Sequence, residues 1–390
     1  MRILLVQNSS YFPSYGGGNK SDRLMMNALA RCGHSCGVIA RIRDSSPHGH
    51  DEYLRTLEEY DVTIISTENG VVVFTLDSVE VHVATTANVR SCCSRHLVEF
   101  EPHAILVSTD PLNVLICDLV GTRNAKVVYL ARTTMLLPFG PESTFPSQKK
   151  TEAIRRADLV VAVSCYLADY VIEHSRIPAI HLPIQMMEAK PESPLGSFDN
   201  SFITMVNPCA LKGISIFLGL VDAFPSVAFA AVPTWGTTAE DRVELALRSN
   251  ICILDPVDDI RDILRQTRVT LVPSLWAEGR ARIIVESMLS GIPVLASDRG
   301  GTREATMGVP CWLPVNPIVA YQDHLDDQMN RVPEVPIQNL NPWRDALERL
   351  ITDREYYSEH SRMSYEAAAR YAADLSIGPF ETLLGELTEM

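Results

Sequence analysis

Nowhere in its 390 residues does this chain hold an uninterrupted apolar run of about 20, the length a helix needs to cross a bilayer core. The longest candidate, Gly213 to Val232, is broken by Asp222 and Pro225. No lysine–arginine run occurs either, and 34 basic against 48 acidic residues leave a formal net charge of −14. Polymeric DNA or RNA would have to bind against that global repulsion, which argues against a nucleic-acid role. The nine cysteines are an odd number at irregular positions with no Cys-x-x-Cys pair, so no disulfide framework is implied. Cys32, His34 and Cys36 fall too close together for an ordinary zinc site, and neither a GxSxG elbow nor an HExxH helix is present. Cys117, Cys165 and Cys252 lie in apolar runs, where a reduced, buried thiol is the ordinary state. The start, MRILLVQ, enters a core strand after one basic residue with no cleavage pattern. The expectation is a protein of the reducing cytoplasm.

What is present is globular: 46% hydrophobic and 21% charged residues over a length that suits two domains. Short β-branched runs alternate with helical stretches at Ile3–Gln7, Val38–Ala40, Val62–Ser66, Ile105–Val107, Val127–Leu130 and Leu159–Val163. A second series follows at Phe202–Val206, Val227–Ala230, Ile251–Leu254, Val269–Val272 and Val294–Ala296. Continuous apolar strands alternating with helices predict two α/β domains, each with a mostly parallel sheet covered on both faces. The proline- and serine-rich stretch Pro183 to Asn200 marks the linker. Val71–Phe74 and Val79–Val83 predict a hairpin with Asp77-Ser78 near its turn. The stretch from Trp343 onward predicts helices only, with Asn341 as the N-cap of the first and Pro342 at its first position.

The most informative segment is SLWAEGRARIIVESMLSGIPVLASDRGGTRE, residues 274–304. Glu278 stands in a loop, and Glu286 follows eight residues later on an apolar helix that Gly291 and Pro293 terminate. Val294-Leu295-Ala296 is a core strand, and Asp298 to Gly301 form a glycine turn beyond its carboxyl end, where open parallel sheets bind ligands. A carboxylate at such a loop–helix junction can accept two hydrogen bonds from adjacent sugar hydroxyls. The plainer reading makes Glu278 a solvated loop residue and Glu286 a charge complementing the helix dipole.

Spacing, helix, strand and glycine turn together resemble the glutamate-x7-glutamate signature of the retaining family-four glycosyltransferases. That resemblance implies a GT-B fold: two Rossmann-like domains facing a cleft, with the C-terminal helix crossing back to the first domain. It implies an N-terminal acceptor domain at 1–190, with helix 366–390 packing on it, and a nucleotide-sugar domain at 200–365. The partners implied are a nucleoside-diphosphate sugar and a small-molecule or glycan acceptor, with the sugar nucleotide as substrate and no cofactor. Glu278 would contact the donor sugar and Glu286 the ribose.

Three other elements fit the same reading. SYFPSYGGGNKSD, after the first strand, offers Gly16, Gly17 and Gly18 for close backbone approach and free amides at a helix start for a phosphate. It is neither the dinucleotide fingerprint nor a P-loop, and a surface turn explains the glycines as well. The second domain opens with FITMVNPCALKGISIF, where Lys212 would place a compact cation beside the diphosphate. The family carries an arginine where this chain has Asn207, and Arg282 is the candidate replacement. Gly279, Arg280, Ala281 and Ile283 complete the donor loop, and Val257 lies in the stretch 254–259 expected to meet the base.

Arg132 stands where many relatives carry a histidine. It would bind an anionic acceptor or the donor phosphate, or simply pair with Glu142 or Asp110. Ser164 is explained in full as an N-cap. No Asp-x-Asp pair occurs, which points to metal-independent transfer. Two alternatives stay open: a pseudo-glycosyltransferase or sugar-nucleotide epimerase on the same fold, and an inactive sugar-nucleotide-binding partner.

Overall fold

The computed structural model describes residues 1–389 except 15, 123, 189 and 190. The chain separates into two compact units. One comprises Met1–Ser14, Gly18–Met186 and Ser376–Met390; the other comprises Tyr15–Gly17 and Met187–Leu375. The linker stretch 183–200 thus straddles the change of unit at 186–187, and its residues 189 and 190 lie outside those described, as does residue 15 of the glycine segment.

In the first unit, β1 (Arg2–Gln7), β2 (Ser35–Arg41), β3 (Ile64–Glu68), β4 (Val71–Leu76), β5 (Val79–Ala84), β6 (Ala104–Ser108), β7 (Lys126–Ala131), β8 (Leu159–Ala162) and β9 (Ile180–His181) form one sheet. Its order is β3-β4-β5-β2-β1-β6-β7-β8-β9. The pairings from β5 through β9 are parallel, and Ile3 to Val6 and Ala104 to Ser108 are buried throughout, as strands covered on both faces must be. The expected hairpin is β4–β5. Asp77 and Ser78 both have positive φ, 50° and 66°, the primed turn whose twist matches the strands. β3 departs from expectation: it starts at Ile64 and pairs antiparallel with β4 at the sheet edge, outside the parallel series.

In the second unit, β10 (Phe202–Val206), β11 (Phe229–Val232), β12 (Ile251–Ile253), β13 (Thr267–Val272), β14 (Val294–Ser297) and β15 (Trp312–Leu313) form a parallel sheet in the order β12-β11-β10-β13-β14-β15. β11 begins two residues later than its apolar run, because Pro225 and Ser226 hold the preceding turn and Val227 donates back to Phe224. A two-stranded ribbon, β16 (Tyr321–Leu325) with β17 (Arg331–Pro333), carries polar residues on exposed positions and shows no apolar alternation that sequence could reveal.

The stretch after β17 is helical, at Asn341–Thr352, Arg354–Asp374 and Gly378–Glu389. Asn341 is the first helical residue rather than the cap, and its backbone N–H donates to the side chain of Asn339. The helix Arg354–Asp374 stays with the second unit and packs through Ala367 and Ala368 against Ile284, Val285 and Met288. The segment that belongs to the first unit is therefore Ser376 onward, where Phe380 and Leu384 are fully buried in that unit's core. Cys165 and Cys252 are exposed, contrary to the buried thiols expected of their apolar runs, while Cys209 and Cys311 are buried. Among the described residues no helix is long and apolar enough to cross a membrane.

Candidate functional site

The centre of the second unit is the loop that leaves β13. Every residue from Leu271 to Arg280 is buried, Glu278 among them at 4% exposure. A carboxylate so buried needs donors, and three arrive on one oxygen. Glu278 Oε1 accepts from Lys212 Nζ at 2.6 Å, Ser274 Oγ at 2.5 Å and the Trp276 indole Nε1 at 2.9 Å. Lys212 Nζ also lies 4.9 Å from the centre of the Trp276 ring, a cation–π position that fixes it further. Oε2 of Glu278 has no hydrogen-bond partner among the described residues.

Lys212 reaches this loop because Gly213 takes a φ of +83° and caps the helix Ile214–Ala223. A Cβ at position 213 would stand 2.0 Å from the carbonyl oxygen of Pro273, so only glycine lets the two segments touch. The glycine turn after β14 has the same logic. Gly300 bridges to Glu278 and Gly301 donates to the Glu278 carbonyl at 2.7 Å. A Cβ on either glycine would enter the Glu278–Gly279 backbone, at 2.6 Å from the Glu278 oxygen and 2.1 Å from the Gly279 oxygen. The turn holds the Glu278 loop in place.

The flanking residues separate by partner. Arg282 opens the helix Arg282–Leu289, and its Nε donates to Glu286 Oε1 at 2.7 Å, one turn on. Both expected donor residues therefore form an i,i+4 ion pair, with the arginine buried and the glutamate half-buried. Arg280 turns the other way, to Glu304 at 3.3 Å and over the Tyr371 ring at 4.4 Å. Ala281 is the buried N-cap residue and Ile283 a half-buried helical position. Gly17, which groups with this unit, has its Cβ position 3.6 Å from Arg282 Cβ. Gly16 precedes the helix Gly17–Arg31, and Gly18 lies in the first unit with its Cβ position 3.1 Å from Thr109 Oγ1.

Asn207 ends β10 in the left-handed region, φ 59°, which asparagine tolerates. Its Oδ1 accepts from the Gly236 amide at 2.9 Å, while its buried Nδ2 bonds to nothing among the described residues. Beside it, Trp235 stands edge-on to Trp276 at 6.5 Å between ring centres. Val257 sits half-buried in the loop after β12. Ser274, Trp276 and Trp235 were missed in the sequence; the first two lie four and two residues before Glu278, the only local signal they gave.

In the first unit, Arg132 corrects its expected pairing. It bonds neither Glu142 nor Asp110 but the buried Asp22, through Nη2, with Ser108 Oγ 3.3 Å from its Nε. Asp22 also accepts from Ser108 at 2.9 Å and Thr109 at 3.2 Å. Burial pushes the Asp22 carboxyl up, and the guanidinium and hydroxyls pull it back. Asp110 instead accepts the Leu115 and Ile116 amides. Ser164 caps the helix Cys165–Ser175 by accepting from Leu167, as expected.

Set against known proteins, residues 210–326 match the family described as Glycosyl transferases group 1. Over the whole chain the structure resembles sucrose-phosphate synthase from Thermosynechococcus elongatus, with a TM-score of 0.69, 14% identity, and coverage of 100% of this chain and 98% of that one. It equally resembles HepE from Anabaena, solved with UDP-glucose, at a TM-score of 0.66, 15% identity and full coverage of both chains. The fold is GT-B. In sequence, an uncharacterised 42.6 kDa protein of the cps region of Klebsiella pneumoniae is 23% identical over 350 residues, 80% of this chain and 88% of that protein. The matched 210–326 stretch begins two residues before Lys212 and contains the whole of the Glu278 loop and the glycine turn that clamps it.

Proposed function

We propose that this GT-B protein is a glycosyltransferase that moves a sugar from a nucleoside-diphosphate sugar, UDP- or GDP-linked, to a small-molecule or glycan acceptor. The observation that carries the reading is the state of Glu278. Three donors lock one carboxylate oxygen and leave the other with no partner among the described residues, as a rigid acceptor for sugar hydroxyls needs. The family match over this segment and the UDP-glucose bound by HepE support the donor class.

Lys212 spends one N–H on Glu278; its remaining N–H groups would face the diphosphate, with the Arg282–Glu286 pair and the amides near Gly17 and Gly279 beside it. Glu286 would hold the ribose, and Val257 would border the base. Asn207 Nδ2 would supply a neutral hydrogen bond where the family has an arginine. Arg132, held by Asp22 in the first unit, would contribute position on the acceptor side, while Lys212 and Arg282 are the cations assigned to the diphosphate. We read the transfer as retaining, from the likeness of the Glu278–Glu286 segment to the retaining family's signature, and as metal-independent, since the chain has no Asp-x-Asp pair. The bond from the anomeric carbon to the phosphate oxygen breaks, the acceptor oxygen bonds to the same face, and the acceptor proton passes to the departing phosphate. Fixed positive charge beside the leaving group lowers the barrier by about 3 kcal/mol per well-placed donor. The cytoplasm, where sugar nucleotides are at hand, is the compartment this reading requires.

The test is release of nucleoside diphosphate from UDP- and GDP-sugars in the presence of an acceptor panel, with product stereochemistry read by NMR. Release coupled to a retained glycosidic product supports the reading. Binding without release under any acceptor would favour the inactive-partner alternative.

A further inference from the structure

A second polar cluster lies in the first unit, on the face of the sheet that the helix Val89–Phe100 covers. Along β5, Val79, Val81 and Val83 point into the core, so Glu80 and His82 share the opposite face two residues apart. The helix brings His96 over them, its ring 4.2 Å from that of His82 and stacked at 5.3 Å on Phe100. One ligand atom from each of Glu80, His82 and His96 lies within 4.8 Å of the others. Glu80 Oε1 and His82 Nε2 are already 2.7 Å apart.

Room for His96 is built into the sheet. Gly37 on β2 is the register partner of Glu80, and a Cβ there would stand 3.5 Å from His96 Nε2 and 3.4 Å from Phe100 Cζ. His96 is 6% exposed, and neither of its ring nitrogens has a hydrogen-bond partner among the described residues. A buried imidazole with two idle nitrogens is costly to hold for packing alone, since a phenyl ring would fill the same space without desolvated polar atoms.

We propose that Glu80, His82 and His96 form a binding site for a zinc-class divalent cation, with two imidazoles and one carboxylate as ligands and an open side toward solvent. Imidazole and carboxylate donors in this number suit zinc, and Glu80 and His82 leave the site accessible from the surface. Occupancy would fasten the helix Val89–Phe100 to β5. The inference is independent of the proposed glycosyl transfer, whose residues lie in other segments.

The experiment is zinc titration of the full chain, stripped with a chelator and with its exposed thiols alkylated, against a chromophoric competitor. Wild type is compared with His82→Gln and with Glu80→Gln, both at positions open to solvent. Wild type is expected to take up one equivalent more than His82→Gln and to melt at a higher temperature with zinc than without. Glu80→Gln is expected to bind that equivalent at least tenfold more weakly. Cobalt as a probe should give visible ligand-field bands in wild type that are absent in His82→Gln. Equal zinc stoichiometry in wild type and both variants, or no uptake by wild type, would overturn the proposal. Should one variant fail to fold, the other decides alone.

Discussion

Lys212 reaches across 66 positions of sequence to place its ammonium 2.6 Å from Glu278 Oε1, over the face of Trp276. The cation assigned to the leaving group and the carboxylate assigned to the sugar are therefore one mechanical unit. Removing either releases the other.

Lys212→Met is thus expected to lower kcat by about 10²–10³ through lost charge at the diphosphate. Glu278→Gln keeps an acceptor oxygen for Lys212, Ser274 and Trp276 but weakens charge-assisted bonds, so it should lose less than Glu278→Ala. Steady-state kinetics of the three variants check the order; an Ala variant as active as wild type would remove Glu278 from the site.

Asn207 offers a cleaner separation of roles. Asn207→Asp retains the oxygen that accepts from Gly236 and tolerates the left-handed backbone, but it replaces the idle amide donor with a charge. Donor affinity is expected to fall at least tenfold, about 1.4 kcal/mol, with nucleoside-diphosphate binding measured by calorimetry.

The Arg132–Asp22 pair should act on stability. Both side chains are buried, at 4% and 0% exposure, so Arg132→Met strands a buried carboxylate and is expected to cost about 3–5 kcal/mol. Asp22→Asn combined with Arg132→Met should recover much of that loss in urea unfolding. A single variant as stable as wild type would show the pair to be energetically idle.

Gly300→Ala tests the clamp on the Glu278 loop. Its φ is +62° and its Cβ would lie 2.6 Å from the Glu278 oxygen, so the backbone must shift. A loss of about 2 kcal/mol or more is expected, together with weaker donor binding, because the loop that moves is the one that carries Glu278.

A pH dependence follows from His96. Its folded value, about 4, lies below the ordinary 6.5, so between the two the unfolded chain binds more protons. Its contribution to stability is complete above pH 6.5 and is lost as pH falls toward 4. His96→Phe should flatten that part of the curve in metal-free protein. Glu80, Glu99, His82 and Arg95 face the same ring, so the variant is compared at constant ionic strength.

Much of this was legible in the sequence, for identifiable reasons. β1, β6, β10 and β13 each carry an apolar run because their inner residues are buried on both faces, and such runs announce themselves. The Asp77-Ser78 turn and the Ser164 cap are local, with donor and acceptor a few residues apart. Glu278 and Lys212 stood out through their motif, not through any pairing visible in the chain. What escaped is tertiary. Asp22 lies 110 positions from Arg132 and leaves no trace beside it, so the nearer Asp110 and Glu142 looked like partners. That the glycine turn at 300–301 clamps the Glu278 backbone shows only once the two segments are seen together. The polar ribbon at 321–333 has no buried face and hence no period. His96 looks like any helical histidine until Gly37 opens the sheet beneath it.

The most direct measurement is a thermal-shift screen of wild type and Glu278→Ala against UDP-, GDP-, ADP- and dTDP-sugars. At 100 times the dissociation constant, the cognate donor should stabilise wild type by roughly 2.7 kcal/mol and the variant far less. No shift of wild type with any sugar nucleotide, or an equal shift in both proteins, would contradict a donor site built on Glu278.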